Sequence, residues 1–120
     1  MQEENEAQKI SKQGTACFKE GNFEGAIELY GNAIDLFEKG EKTAETKKDL
    51  KVAYNNRAAA HMKLSAFESA VHDCTKALDQ DKMYHKVRIR RAKAFEGLKD
   101  LKKALHDYTT VFFAEQSQGV

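Results

Sequence analysis

Proline and tryptophan are both absent from this chain of 120 residues. That rules out a collagen-like or proline-rich fibre. No apolar run approaches the roughly 20 residues a membrane-spanning helix needs, so this segment is not expected to insert into a bilayer. Cysteine occurs only as Cys17 and Cys74, far apart and inside helical patterns. Two such residues make no disulfide framework; they read as free buried thiols in a reducing compartment. The acidic, polar start Met1-Gln2-Glu3-Glu4-Asn5-Glu6 is unlike a secretory or mitochondrial leader. A net charge of +1 gives no overall reason to expect nucleic acid.

The motifs of catalysis are also missing. There is no phosphate-cradling glycine loop and no repeated-aspartate calcium loop. Among His61, His72, His85 and His106 no two stand three or four residues apart, so no metal set is expected. Cys17 and Cys74 fall on apolar positions, which leaves no Cys–His nucleophile pair. The aromatic residues stand at packing positions and do not form a base-stacking platform. The expectation is therefore no enzyme, no metal, no other cofactor and no nucleic acid.

What is present is ordinary globular composition, 41% hydrophobic and 32% charged, and a length that suits one domain, 1–120. A small-x-aromatic-x-x-Ala element recurs. Gly21-Asn22-Phe23 leads to Ala26, Tyr30 and Ala33. Ser65-Ala66-Phe67 leads to Ala70, Cys74 and Ala77. Lys99-Asp100-Leu101 leads to Ala104, Tyr108 and Val111. The last two copies are 34 residues apart, and the first two 44. Ten residues, about 38–47, are therefore inserted, and an exposed connection with helical extensions is expected there.

Each copy carries two amphipathic helical patterns, which predicts helices at roughly 5–20, 23–39, 47–63, 67–80, 83–97 and 101–115. Asn22 reads as an N-cap, Ser65 with Glu68 as a capping box, and Thr46 with Asp49 as a weaker box. Gly14, Ala26, Ala58, Ala70, Ala92 and Ala104 are small enough to bring paired helices close, with aromatics such as Phe18, Tyr30 and Phe67 filling the space beside them. One helix pair cannot bury its own apolar face; three stacked pairs can.

Charge is unevenly spread. Between Lys82 and Lys103 nine Lys or Arg residues (82, 86, 88, 90, 91, 93, 99, 102 and 103) face only Glu96 and Asp100. Lys86 and Arg90 are four apart and share a helix face. With Asn56 they offer an ammonium, a guanidinium and an amide, a donor set suited to carboxylates. Arg57 and Arg91 read as packing or pairing residues.

The 34-residue pattern resembles the tetratricopeptide repeat from about Ala7 to Glu115, with repeats at roughly 7–40, 51–82 and 85–116 and an insertion at about 39–47. The proline that often ends such a repeat is replaced by Lys82. The resemblance implies an all-α fold of six antiparallel helices, a right-handed superhelix whose first helices line a concave groove. Asn56, Lys86 and Arg90, with Lys63 as accessory base, resemble the carboxylate clamp of co-chaperone domains of this family. That clamp implies a partner: the acidic C-terminal peptide, Glu-Glu-Val-Asp, of the cytosolic 70- and 90-kilodalton heat-shock chaperones. Glu96 would contact a polar side chain or orient a neighbouring base.

The first repeat departs from the family's Lys-x-x-Gly-Asn. Ser11 stands for the lysine and Thr15 for the asparagine, and Lys12 is one position from the clamp register. Binding by a half-clamp is therefore expected to be weaker, shifted in register, or directed at another acidic segment. Asn56-Arg57-Ala58-Ala59-Ala60 and Arg90-Arg91-Ala92-Lys93-Ala94 look especially like the import receptors of the mitochondrial outer membrane and the myosin-chaperone group. The resemblance implies a cytoplasmic location, or the cytosolic face of an organelle. The alternative reading is a scaffold that packs a partner helix, with the basic residues only flanking it.

Overall fold

The computed structural model describes residues 3–118; Met1 and Gln2 of the acidic N-terminal segment lie outside it. Six helices follow one another: α1 Glu6–Lys19, α2 Phe23–Lys39, α3 Ala44–Lys63, α4 Phe67–Gln80, α5 His85–Gly97 and α6 Leu101–Gln118. Each packs against its chain neighbour, and α1, α3 and α5 touch in succession. This is a helical-repeat superhelix with the first helix of each pair on one face.

The starts of the helices show which local chemistry wins. Asn5 and Gln8 form a reciprocal capping box, with the Asn5 side chain accepting from the Gln8 amide at 2.8 Å. Asn22 caps α2 as read from sequence, accepting from the Gly25 amide at 3.0 Å. The third helix begins one turn earlier than expected. Its box is Thr43 with Thr46, not Thr46 with Asp49: each hydroxyl accepts from the other's amide, and the Thr46 hydroxyl also donates to the Glu41 carbonyl at 2.6 Å, which a carboxylate could not do. The insertion is thus largely helical, and only residues 40–43 are outside helix. Lys42 reaches back to the Phe37 and Glu38 carbonyls at 3.3 and 2.7 Å, covering acceptors at the end of α2. The fifth helix starts at His85, two residues later than expected. Asp81 holds the preceding turn by accepting from the Met83 amide at 3.0 Å.

Ser65 and Glu68 form no capping box; Ala66 occupies the N-cap without a side-chain bond. Ser65 instead adopts a left-handed backbone, φ 56°, to end α3. Ser65 and Ala66 amides donate to the Met62 and His61 carbonyls at 3.0 and 2.8 Å. The same turn recurs at Gly21, φ 83°, and Lys99, φ 62°, with the following amide bonded to the carbonyl five residues back each time. The repeat therefore reproduces a helix-ending turn, which only the first copy builds with glycine.

Between the helices, close approach is obligatory at two glycines. A Cβ on Gly14 would stand 2.9 Å from the Tyr30 ring, and one on Gly97 2.6 Å from the Phe67 ring. One core runs through Ile34, Phe37, Leu50, Tyr54, Leu78 and Val87; a second holds Ala26, Tyr30 and Ala60. The second and third pairs are also pinned by buried ion pairs. Arg57 grips Asp73 with two bonds of 2.8 Å, and Arg91 grips Asp107 at 2.8 and 2.7 Å. Both aspartates are 1% exposed. The first pair carries Gln13 and Leu29 at the corresponding places.

Ser65 and Lys99 carry side chains in a left-handed conformation that costs an L-residue about 1–2 kcal/mol. Glycine relieves that strain and gives back about 0.5–1 kcal/mol in chain entropy. Ser65→Gly and Lys99→Gly should each raise the thermal unfolding midpoint by a few degrees. A lowered midpoint in both would contradict this account of the turn.

Candidate functional site

A concave groove follows α3 between α1 and α5. The residues that α3 presents to it form one stripe at spacings of three and four: Asp49, Val52 and Asn56, then Ala59, Met62 and Lys63. The groove divides there into two sections of opposite charge.

The first section, about 760 Å³, lies between α1 and the beginning of α3. Gln8, Ser11, Lys12 and Thr15 line it from α1. Its carboxylates are Glu3, Glu4, Glu45 and Asp49, against Lys12 and Lys48. Lys12 is ion-paired with Glu4, and Gln8 donates to Asp49 at 3.1 Å. The Thr15 hydroxyl bonds the Tyr30 hydroxyl at 2.8 Å and donates to the Ser11 carbonyl at 3.3 Å. Its hydrogen-bonding capacity is largely committed to the fold, so Thr15 has little left to offer a ligand at the position of the family's asparagine. Burial then raises the pKa of the Tyr30 phenol above its ordinary value.

The second section, about 530 Å³, lies between the end of α3 and α5, with Phe18 of α1 at its side. Phe18, Ala59, Met62 and Ile89 give it an apolar floor; Lys63, Lys86, Arg90 and Lys93 give it four cations. No carboxylate lines it among the described residues. An apolar floor beneath cations lowers the local dielectric and strengthens their attraction for a carboxylate. The structure therefore brings Lys63, Lys86 and Arg90 together. Asn56 lines the neighbouring section, one turn from Ala59 and at the border. Glu96 lines neither section: its carboxylate accepts from the Tyr108 hydroxyl of α6 at 3.0 Å.

The basic run is sorted by the fold. Arg91 pairs with Asp107 at 2.7 Å, and Arg88 lies 3.8 Å from the same carboxylate while donating to the Lys82 carbonyl at 3.0 Å. These guanidinium groups hold helices together, as was expected of Arg57 and Arg91. The equal spacing from Arg57 to Arg91 and from Asp73 to Asp107 is visible in the sequence and could have identified both pairs. Sequence reasoning missed Asn55, which is buried on α3 and accepts a hydrogen bond from Arg90. It also counted Phe18 as core alone, whereas the ring forms part of the groove. Among the described residues no group of three or more His, Cys, Asp or Glu is placed to hold a metal ion. No helix among them is long and apolar enough to cross a membrane.

No family model matches the chain. Among solved structures, the second TPR domain of Spaghetti (RPAP3), bound to the HSP90 peptide SRMEEVD, is 32% identical, with a TM-score of 0.75 over 91% of this chain and 92% of that one. The chain belongs to the tetratricopeptide-repeat family. A second such domain, the second TPR of human RPAP3 in complex with the HSP70 peptide SGPTIEEVD, is 33% identical, with a TM-score of 0.74 over 89% of this chain and 81% of that one. Among curated relatives, the mitochondrial import receptor subunit TOM70 of Rattus norvegicus is 39% identical over 94% of this chain and 18% of its own length. DnaJ homolog subfamily C member 7 of Mus musculus is 34% identical over 88% of this chain and 20% of its own length. This tetratricopeptide-repeat chain thus spans about a fifth of the length of these curated relatives.

Within this domain Cys74 is fully buried, and burial pushes its thiol up to about 12. The thiolate is the reactive form, so Cys74 should stay unmodified by iodoacetamide in the native protein at pH 8 and react only on unfolding. Half-buried Cys17 should react first. Peptide mapping of the alkylated protein checks the order; modification of Cys74 before Cys17 would contradict the packing.

Proposed function

We propose that this domain is a non-catalytic protein-binding module that captures the acidic, carboxylate-terminated tail of a heat-shock chaperone of the 70- or 90-kilodalton class. The observation that carries the reading is the basic section of the groove: Lys63, Lys86, Arg90 and Lys93 over an apolar floor, without a lining carboxylate. A peptide that mixes carboxylates with apolar side chains matches both parts. Two similar domains were solved with peptides of that composition, SRMEEVD and SGPTIEEVD.

Arg90 and Lys86 hold the acidic side chains, and Lys63 adds charge. Asn56, at the border, donates to the terminal carboxylate or to the peptide backbone. The acidic section beside Ser11 and Thr15 repels carboxylates beyond that border, so the acidic side chains of the peptide are confined to the section around Arg90. Affinity for a short peptide is micromolar, about −7 to −8 kcal/mol. The module acts in the cytosol or on the cytosolic face of an organelle, where such tails are exposed.

A second reading is a scaffold that packs a partner helix. It is favoured by the apolar stripe of α6, where Leu101, Leu105 and Phe112 are 68%, 63% and 54% exposed. In that case the groove and its cations would not contribute to binding.

Calorimetry with the peptide Ser-Arg-Met-Glu-Glu-Val-Asp separates the two. Arg90→Ala should weaken binding by about 1.5–3 kcal/mol, the scale of a hydrogen bond to a charged group. Added salt and amidation of the peptide terminus should each weaken it as well. Ser11→Lys with Thr15→Asn should tighten it, because the family's two first-repeat donors are restored and one new cation offsets the carboxylates of the acidic section. Affinity untouched by Arg90→Ala would sink the groove reading.

A further inference from the structure

We infer that Asn55, backed by Tyr84, is a positioning residue that holds the Arg90 guanidinium in the direction from which it meets a carboxylate. The inference rests on the peptide reading above and adds the part of the fold that presents its central cation.

The geometry admits one arrangement of donors. Arginine has only N–H donors, so the atom of the Asn55 amide that faces Arg90 Nη1 is its oxygen. The amide nitrogen then points the other way, where it donates to the Tyr84 hydroxyl at 3.2 Å. Tyr84 is itself held in place: the Lys51 ammonium lies 5.1 Å from the centre of its ring and 2.9 Å from Asp81. Asn55 is 4% exposed, so water cannot easily replace either of its bonds. A brace therefore runs from the turn before α5 through α3 to the groove wall.

Arg90 has one hydrogen-bond partner among the described residues, and that partner is Asn55. One of its five N–H donors is used, and the others remain for a ligand. Lys63, Lys86 and Lys93 share the basic section, are exposed, and have no such anchor among the described residues. A side chain already ordered in the free protein loses less freedom on binding. In this chain that matters more, since the first repeat offers Ser11 and Thr15 where the family carries a lysine and an asparagine.

The test combines titration with a spectroscopic reading. Asn55→Ala and Tyr84→Phe are made in the native background and in Arg90→Ala, and each protein is titrated with Ser-Arg-Met-Glu-Glu-Val-Asp. Each single substitution should weaken binding about two- to ten-fold, the range expected when one flexible side chain must be ordered on binding. In the Arg90→Ala background neither should weaken it further. In the free protein, the Arg90 Nε–Hε signal should report a restricted side chain in the native background and a mobile one in both variants. Tyr84→Phe keeps the ring and decides alone if Asn55→Ala does not fold. Equal weakening in both backgrounds, or unchanged affinity and Arg90 mobility, overturns the positioning role while the peptide reading stands. Absence of peptide binding to the native domain overturns both.

Discussion

Close approach of the helices is the constraint from which the other features of this domain follow. Gly14, Ala26, Ala58, Ala70, Ala92 and Ala104, one on each helix, are all buried. Their small side chains contribute little apolar area of their own. They let the larger residues beside them, Tyr30, Phe37 and Leu50 among them, become almost wholly buried, each at about 1.5–3 kcal/mol. A methyl group added at Gly14 would meet the Tyr30 ring at 2.9 Å, so the spacing tolerates little change. With the pairs set this close, α1, α3 and α5 stand in a row, and the stripe from Asp49 to Lys63 becomes the floor of a groove.

Much of that was legible in the sequence, for a physical reason. The period of 3.6 and the recurrence of small and aromatic residues are properties of whole segments, and they survive errors at single positions. Cap chemistry is different. Thr43, Thr46 and Asp49 all have side chains able to cap, and the helix starts at the pair whose hydroxyls each accept from the other's amide. Ser65 was misread because two demands met at one residue. It could cap α4 or end α3 in a left-handed turn, and the turn recurs in every pair.

The site was legible in part. Lys86 and Arg90 share a face of α5 because they stand four apart, and the packing of α3 against α5 brings Lys63 to the same section of the groove. The fate of Arg88 and Arg91 was not visible from local charge, since it depends on Asp107 of the next helix. Nor was the acidic section, which gathers Glu3 and Glu4 from before α1 and Glu45 and Asp49 from α3. Nothing in the pattern of the sequence separates Asn55 from its neighbour Asn56. Of two consecutive asparagines on a helix, one lines the groove and the other is buried, and only packing tells which.

The division of the groove by charge is the feature on which the proposed half-clamp rests. Where related clamps would place a lysine and an asparagine, this chain has Ser11 and a Thr15 already bonded to Tyr30, beside a surplus of carboxylates. The cations are gathered at the other section, with Arg90 anchored from behind. In the proposed mode an acidic tail binds in the groove with its acidic side chains over α5. Intermolecular nuclear Overhauser contacts between the labelled domain and the peptide measure this most directly. The account predicts contacts from the peptide's apolar side chains to Met62 and Ile89, with its terminus near Asn56. Contacts confined to the Leu101, Leu105 and Phe112 face of α6, with none to Met62 or Ile89, would contradict it.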